Sequence, residues 1–310
     1  MTGRAAIGID LGGTKIAGVV LGVDGGVLAT EERATLDTTD AILDTTISLI
    51  ESLRRPEVEA VGVGVAGMVD FEAGALRFAP NLPFRDVPIR DRVGEATGLR
   101  CVVDNDANAA GWGERQLGAA RGNDDVLLVT VGTGIGGAVI AGGRVYRGAH
   151  GFAAEIGHIV VEPDGPPCGC GNRGCWEQVA SGQAIDRLAR EEAERDPAGG
   201  VARAAAGGAV TGRYAAVAAR EGDESALGIF ADVGRRLGEG MAGLVNVLDP
   251  EIVVVGGGVA DEGELLLTPA REAFWATVEL RRGRPDVPIV VAELGNDAGA
   301  IGAAALAMEG

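Results

Sequence analysis

Over the first third of the chain, short apolar runs are separated by glycine-rich turns. "AAIGID" (residues 5–10) predicts a strand, "LGGT" a turn and "KIAGVVL" a second strand. "GVDGG" reads as a hairpin turn into a third strand, "VLATEERAT". Between residues 40 and 53 the period changes. Ile42, Leu43, Ile47, Leu49, Ile50 and Leu53 recur at helical spacing and predict an amphipathic helix. "AVGVGVAG" follows as a buried strand, "IRDRVGEATG" as a short helix closed by Gly98, and "RCVVDND" as another strand. "ANAAGWGERQLG" predicts a helix that starts directly after the acidic pair.

The opening pattern returns about 120 residues later, where "VLLVTVGTGIGGAVIAGGRV" is again strand, glycine-threonine turn, strand and glycine turn. Two such units, each starting a half of the chain, predict a duplicated α/β architecture with a cleft between the halves. Residues 181–247 are rich in Ala, Arg and Glu and read as mostly helical. "EIVVVGGGVA" is a late strand running into a glycine turn, "DVPIVVAEL" a last edge strand, and "DAGAIGAAALAME" a terminal helix.

Composition narrows the class. A length of 310 residues suits two domains, and 46% hydrophobic residues can bury substantial cores. The net charge of −18 disfavours nucleic acid as a partner, because phosphate contacts need clustered Lys and Arg. Lys15 is the single lysine; acidic excess of this kind fits either a halophile's surface or a GC-rich genome. Asp10 interrupts the first apolar run, so no signal peptide is expected. Residues 126–143 lack charge but hold six glycines and two threonines, which argues against a membrane helix. The expectation is a soluble, cytoplasmic protein with no membrane partner.

Chemistry concentrates at a few places. "GHIVVEPDGPPCGCGNRGCWE" holds three of the four cysteines and one of the two histidines. His158, Cys168, Cys170 and Cys175 are soft ligands suited to tetrahedral zinc, and a closed set of four marks a structural site. A reduced cysteine-rich loop or a disulfide is the alternative; Cys101 reads as a buried core thiol. Three glycine turns follow apolar strands: residues 10–15 (Asp10 to Lys15), 132–137 and 256–258. Their backbone N–H groups can approach phosphate oxygens, with Thr14 and Thr133 as hydroxyl donors. None matches the Walker pattern or a dinucleotide fingerprint. Asp10, at a strand end, is placed to hold a hydrated Mg2+. "DNDANAA" sets two carboxylates between strand and helix. Asn105 or Asp106 can cap that helix, and one carboxylate can take the proton of an attacking hydroxyl. "EIGH" and Glu177 bracket the metal loop with groups that suit sugar hydroxyls.

These motifs together resemble the ROK family (repressors, open reading frames and kinases), most closely its zinc-containing ATP-dependent glucokinases. The match runs from "DLGGTK" to "GNDAGAIGAA", with "LVTVGTGIGGAVIAGGRVYRGAHGFAAEIGH" as the family signature and "CGCGNRGCWE" as its zinc motif. The resemblance implies an α/β, actin/hexokinase-like (ribonuclease H-like) duplicated fold with two lobes around an active cleft. The expected lobes are residues 1–117 with 298–310, and residues 118–297 carrying the zinc loop. It implies ATP-dependent phosphorylation of a hexose, D-glucose to glucose 6-phosphate, with Mg2+ and structural Zn2+. Mannose, fructose or an N-acetylhexosamine as acceptor, and polyphosphate as donor, stay open.

The resemblance makes Asp106 the catalytic base and assigns sugar binding to Asn81, Asn105, Asp106, Glu155, His158 and Glu177. Asp10, Gly12, Gly13, Thr14, Lys15, Thr133 and Gly134 fall on the phosphate side, and Gly257 and Gly258 on the adenosine turn. Zinc on one nitrogen of His158 would orient the other toward a sugar hydroxyl. A homo-oligomer, dimer or tetramer, is expected. A zinc hydrolase or deaminase is disfavoured by the absence of an HExxH or HxE setting. A transcription regulator of the same family is disfavoured because nine residues precede Asp10, too few for a DNA-binding domain.

Overall fold

A computed structural model describes residues 5–279 and 282–309. They pack into two compact units: Met1–Leu128, Gly137–Ala154 and Ala292–Gly310 in the first, Val129–Gly136 and Glu155–Val291 in the second. Residues 118–128, 137–154 and 292–297, expected in the larger lobe, thus belong to the first unit.

In the first unit the alternating and apolar runs become β1 (Ala5–Leu11), β2 (Lys15–Leu21), β3 (Val27–Ala34), α1 (Thr39–Leu53) and β4 (Val58–Val65). Three short strands follow, β5 (Met68–Asp70), β6 (Ala75–Phe78) and β7 (Arg85–Val87), then α2 (Ile89–Thr97), β8 (Arg100–Asn105) and α3 (Asp106–Leu117). The main sheet runs β3-β2-β1-β4-β8, with β1 antiparallel to β2 and parallel to β4. Ile7, Ile9, Leu11, Val61, Val63 and Val65 bury its centre against Ile42, Leu49 and Ile50 of α1. The opposite packing is closer. Gly8 and Gly62 lie so near the backbone carbonyls of Ala300 and Ala303 that a Cβ at either would overlap them. The small C-terminal helix Ala298–Glu309 therefore lies directly on β1 and β4. The same helix also touches β8, so it backs both strands that lead to the acidic motifs.

A second sheet, in the order β11-β10-β9-β12-β13, is built from β9 (Val126–Val131), β10 (Ile135–Ala141), β11 (Arg144–Val145), β12 (Ile252–Gly256) and β13 (Ile289–Val291). Its order repeats that of the first sheet: a three-strand meander, then two later strands. β12 and β13 are parallel, as β4 and β8 are. The duplication read from the glycine-threonine turns is thus present in the strand order. The helices of the second unit are α4 (Trp176–Ala180), α5 (Gly182–Arg195), α6 (Gly200–Ala205), α7 (Gly212–Arg220), α8 (Glu224–Leu248) and α9 (Glu264–Thr277). Among the described residues no helix is long and apolar enough to cross a membrane.

Candidate active site

In the first unit, β1 ends at Asp10–Leu11 and the chain turns through Gly12, Gly13 and Thr14. The Gly12 N–H donates to the Lys15 carbonyl at 3.0 Å, and the Thr35 N–H and hydroxyl donate to the carbonyls of Thr14 (3.0 Å) and Gly12 (2.7 Å). Asn81 packs against this turn, since a Cβ on Gly13 would stand 3.2 Å from its Cβ and carbonyl oxygen. Lys15 points along the sheet and pairs with Glu32 on β3. Burial first, and then the charge of Asp106, push the Asp10 carboxyl up to about 7, against a smaller downward pull from Lys15.

Asp106 opens α3. Asn105 is its N-cap: the Oδ1 accepts from the N–H groups of Ala107 (2.9 Å) and Asn108 (3.1 Å), while Nδ2 donates to the Gly67 carbonyl at 3.2 Å. A cap of this type contributes about 1 kcal/mol. One amide hydrogen of Asn105 is left for a further acceptor. The carboxyl of Asp106 is raised above the ordinary range by burial, partly offset by backbone N–H groups and by Asn105. Asp104 is buried and committed elsewhere, since its Oδ2 accepts from Arg147 Nε (2.8 Å) and Nη2 (2.6 Å). Of the two carboxylates in "DND", Asp106 alone is free of an arginine partner among the described ion pairs.

In the second unit, the turn between β9 and β10 is fixed from the start of α5. Gly182 N–H donates to the Gly132 carbonyl (2.9 Å), and Gln183 N–H (3.2 Å) and Ser181 Oγ (2.9 Å) donate to that of Thr133. Gly257 has φ +85°, and a Cβ there would stand 2.6 Å from the Val131 carbonyl, so the position takes only glycine. This brings the turn at Gly257 and Gly258 beside the Thr133–Gly134 turn. On its other side Gly134 abuts the Glu177 carboxylate, which a Cβ would strike.

Glu177 belongs to the metal loop. Cys168 N–H donates to the Asn172 carbonyl (2.8 Å) and Gly174 N–H to that of Pro166 (2.8 Å), folding residues 166–174 into a tight knuckle. Trp176, buried, donates from Nε1 to the Arg236 carbonyl on α8 at 3.0 Å and seats the start of α4. The ligand atoms of His158, Cys168, Cys170 and Cys175 all lie within 4.8 Å of one another. Cys170 Sγ is 3.6 Å from Cys175 Sγ, and Cys168 Sγ is 3.6 Å from His158 Nδ1. A zinc–sulfur bond of about 2.3 Å gives tetrahedral edges of about 3.8 Å, so the four groups fit zinc. The nitrogen turned to the cysteines is Nδ1, which leaves Nε2 for another partner; Glu177 Oε1 stands 3.6 Å from Nδ1. The Glu155 carbonyl accepts the His158 N–H at 3.1 Å across a single turn, Ile156–His158.

The chain belongs to the ROK family, whose sequence pattern matches residues 6–309. It is 42% identical over 308 residues to a glucokinase of Streptomyces coelicolor, covering 98% of this chain and 97% of that protein. A glucokinase of Thermotoga maritima is 38% identical, over 98% of this chain and 97% of its own. A ROK family glucokinase from Streptomyces griseus, crystallised with glucose and AMPPNP, has a TM-score of 0.87 at 43% identity, covering 99% of this chain and 100% of that one.

Sequence reasoning missed Arg147, Ser181 and Trp176, whose side chains hold the backbone and side chains around the site. Each acts on a partner far off in sequence, 43, 48 and 60 positions away, and no local pattern signals such a pair.

Proposed function

We propose that the protein transfers the γ-phosphoryl group of ATP to the 6-hydroxyl of D-glucose. The observation that supports this most is full-length likeness to glucokinases, including one crystallised with glucose and AMPPNP. Asp106 accepts the hydroxyl proton as the oxygen attacks phosphorus; its raised pKa makes it a stronger base than an ordinary carboxylate. Asn81, Asn105, Glu155, His158 and Glu177 hold sugar hydroxyls. The turns at Gly12–Thr14 and Thr133–Gly134 offer N–H groups to phosphate, and Gly257 and Gly258 give the adenosine close backbone approach.

Asp10 is the residue that would hold Mg2+. Burial first, with the repulsion of Asp106 added, raises the Asp10 pKa to about 7, and a buried carboxylate beside a second one is a place where a divalent cation is favoured. The ion would supply charge neutralisation on the phosphates. Zinc, in this reading, fixes the knuckle and the ring of His158.

A coupled assay tests the reading, pairing ATP or polyphosphate with glucose, mannose, fructose and N-acetylglucosamine. ATP with glucose is expected to give the highest kcat/KM. A higher value with polyphosphate, or with another hexose, overturns that assignment.

A further inference from the structure

The corner between β8 and α3 is braced by a side chain from a distant loop. We propose that Arg147 is a positioning residue, which fixes Asp104 and through it the first turn of α3 where Asp106 sits. The proposal rests on Asp106 as proton acceptor. An ionised carboxylate offers about four lone-pair positions, and those of Asp104 are all engaged. Oδ2 takes Nε and Nη2 of Arg147, at 2.8 and 2.6 Å. Oδ1 takes the backbone N–H of Asn105 at 2.8 Å and Nδ2 of Asn108 at 3.0 Å. The residues on either side of Asp106 in the corner are thus tied to one buried anion, whose charge is met by one guanidinium.

Arg147 is itself held on a second face, with its guanidinium carbon 3.8 Å from the centre of the Phe71 ring. Its carbonyl accepts the Ala153 N–H at 3.1 Å, which closes the loop. Gly151, at φ +84°, passes so close to the Val69 carbonyl that a Cβ would overlap it. Asn105 Nδ2 reaches the Gly67 carbonyl at 3.2 Å. Residues 67–71, 104–108 and 147–153 therefore lock one another. A buried ion pair adds little net stability over an apolar pair of like volume. What it fixes here is direction, because the Asn105 peptide cannot rotate without breaking a charge-assisted bond. A lysine at 147 would keep the charge but lose both the fork and the flat face that stacks on Phe71.

The test compares wild type, Arg147→Lys, Arg147→Met and the double variant Asp104→Asn/Arg147→Met. The double variant strands no charge, so its thermal midpoint is expected within a few degrees of wild type, even where Arg147→Met alone unfolds. Two readouts follow. Amide hydrogen exchange over residues 105–110 is expected to quicken at least tenfold in the double variant. Its kcat for glucose phosphorylation is expected to fall at least tenfold, while affinity for an ATP analogue changes less than threefold. Arg147→Lys is expected to fall between it and wild type. Unchanged exchange at 105–110 overturns the proposal, whatever the activity. Quicker exchange with wild-type kcat also overturns it, since the corner would then need no bracing for catalysis. Should wild type phosphorylate no hexose, the kinase reading fails by itself and the exchange measurement still decides what Arg147 holds.

Discussion

Asp10 shows how a single residue's surroundings set its chemistry. Its carboxyl lies against the first turn of the C-terminal helix, where a Cβ on Gly299 would come within 2.9 Å of Oδ2. With a folded pKa of about 7 against 3.8 in the open chain, the folded protein keeps a proton that the unfolded chain has released. Stability from this group is therefore full below about pH 4 and is lost as pH rises toward 7. Without divalent cations, the melting midpoint of wild type is expected to fall across that window more than that of Asp10→Asn. Parallel curves for the two proteins would show that Asp10 is not the titrating group. Sequence made Asp10 and Asp106 visible because each lies where an apolar strand gives way to the next element. It favoured Asp106 over Asp104 as the base, but it could not show what holds Asp104. That is Arg147, which only the folded chain brings to Asp104.

Among the elements, the zinc knuckle has the clearest consequence. Its candidate ligands include Nδ1 of His158, and Cys175 lies two residues before Glu177, so on the roles proposed for these two side chains loosening it frees two hydroxyl contacts together. Removing zinc, or making Cys170→Ala, is expected to weaken hexose binding tenfold to a hundredfold, at about 1–1.5 kcal/mol for each hydrogen bond lost. ATP-analogue affinity is expected to change much less. Titrations of both ligands on the folded variant, with zinc counted per chain, check this; equal losses would make the metal a general staple. The knuckle was legible because four soft ligands within eighteen residues leave few other uses. The long strands and helices were legible from their periods. The small sheet of β5, β6 and β7 was not, because strands of three or four residues are too short to show an alternation.

For the whole molecule, the duplication could be read from the two glycine-threonine turns, while the strand order that the two sheets share came from the fold. The unit boundaries could not be read, because two of them fall inside continuous strands: residues 129–136 join the second unit while 137–154 return to the first. The net charge of −18 is a property of the whole surface, and its meaning is open to a direct test. If it is an adaptation to salt, screening relieves self-repulsion and the melting midpoint rises between low and molar KCl. A flat or falling midpoint assigns the acidic excess to composition alone. The central claim, that this fold places Asp106 to take the proton of a hexose hydroxyl during transfer from ATP, comes down to one comparison: kcat for glucose phosphorylation by wild type and by Asp106→Asn. At least a hundredfold loss of kcat is expected in a variant that stays folded and still binds glucose, roughly the low end for removing a general base. A kcat near that of wild type would contradict that claim.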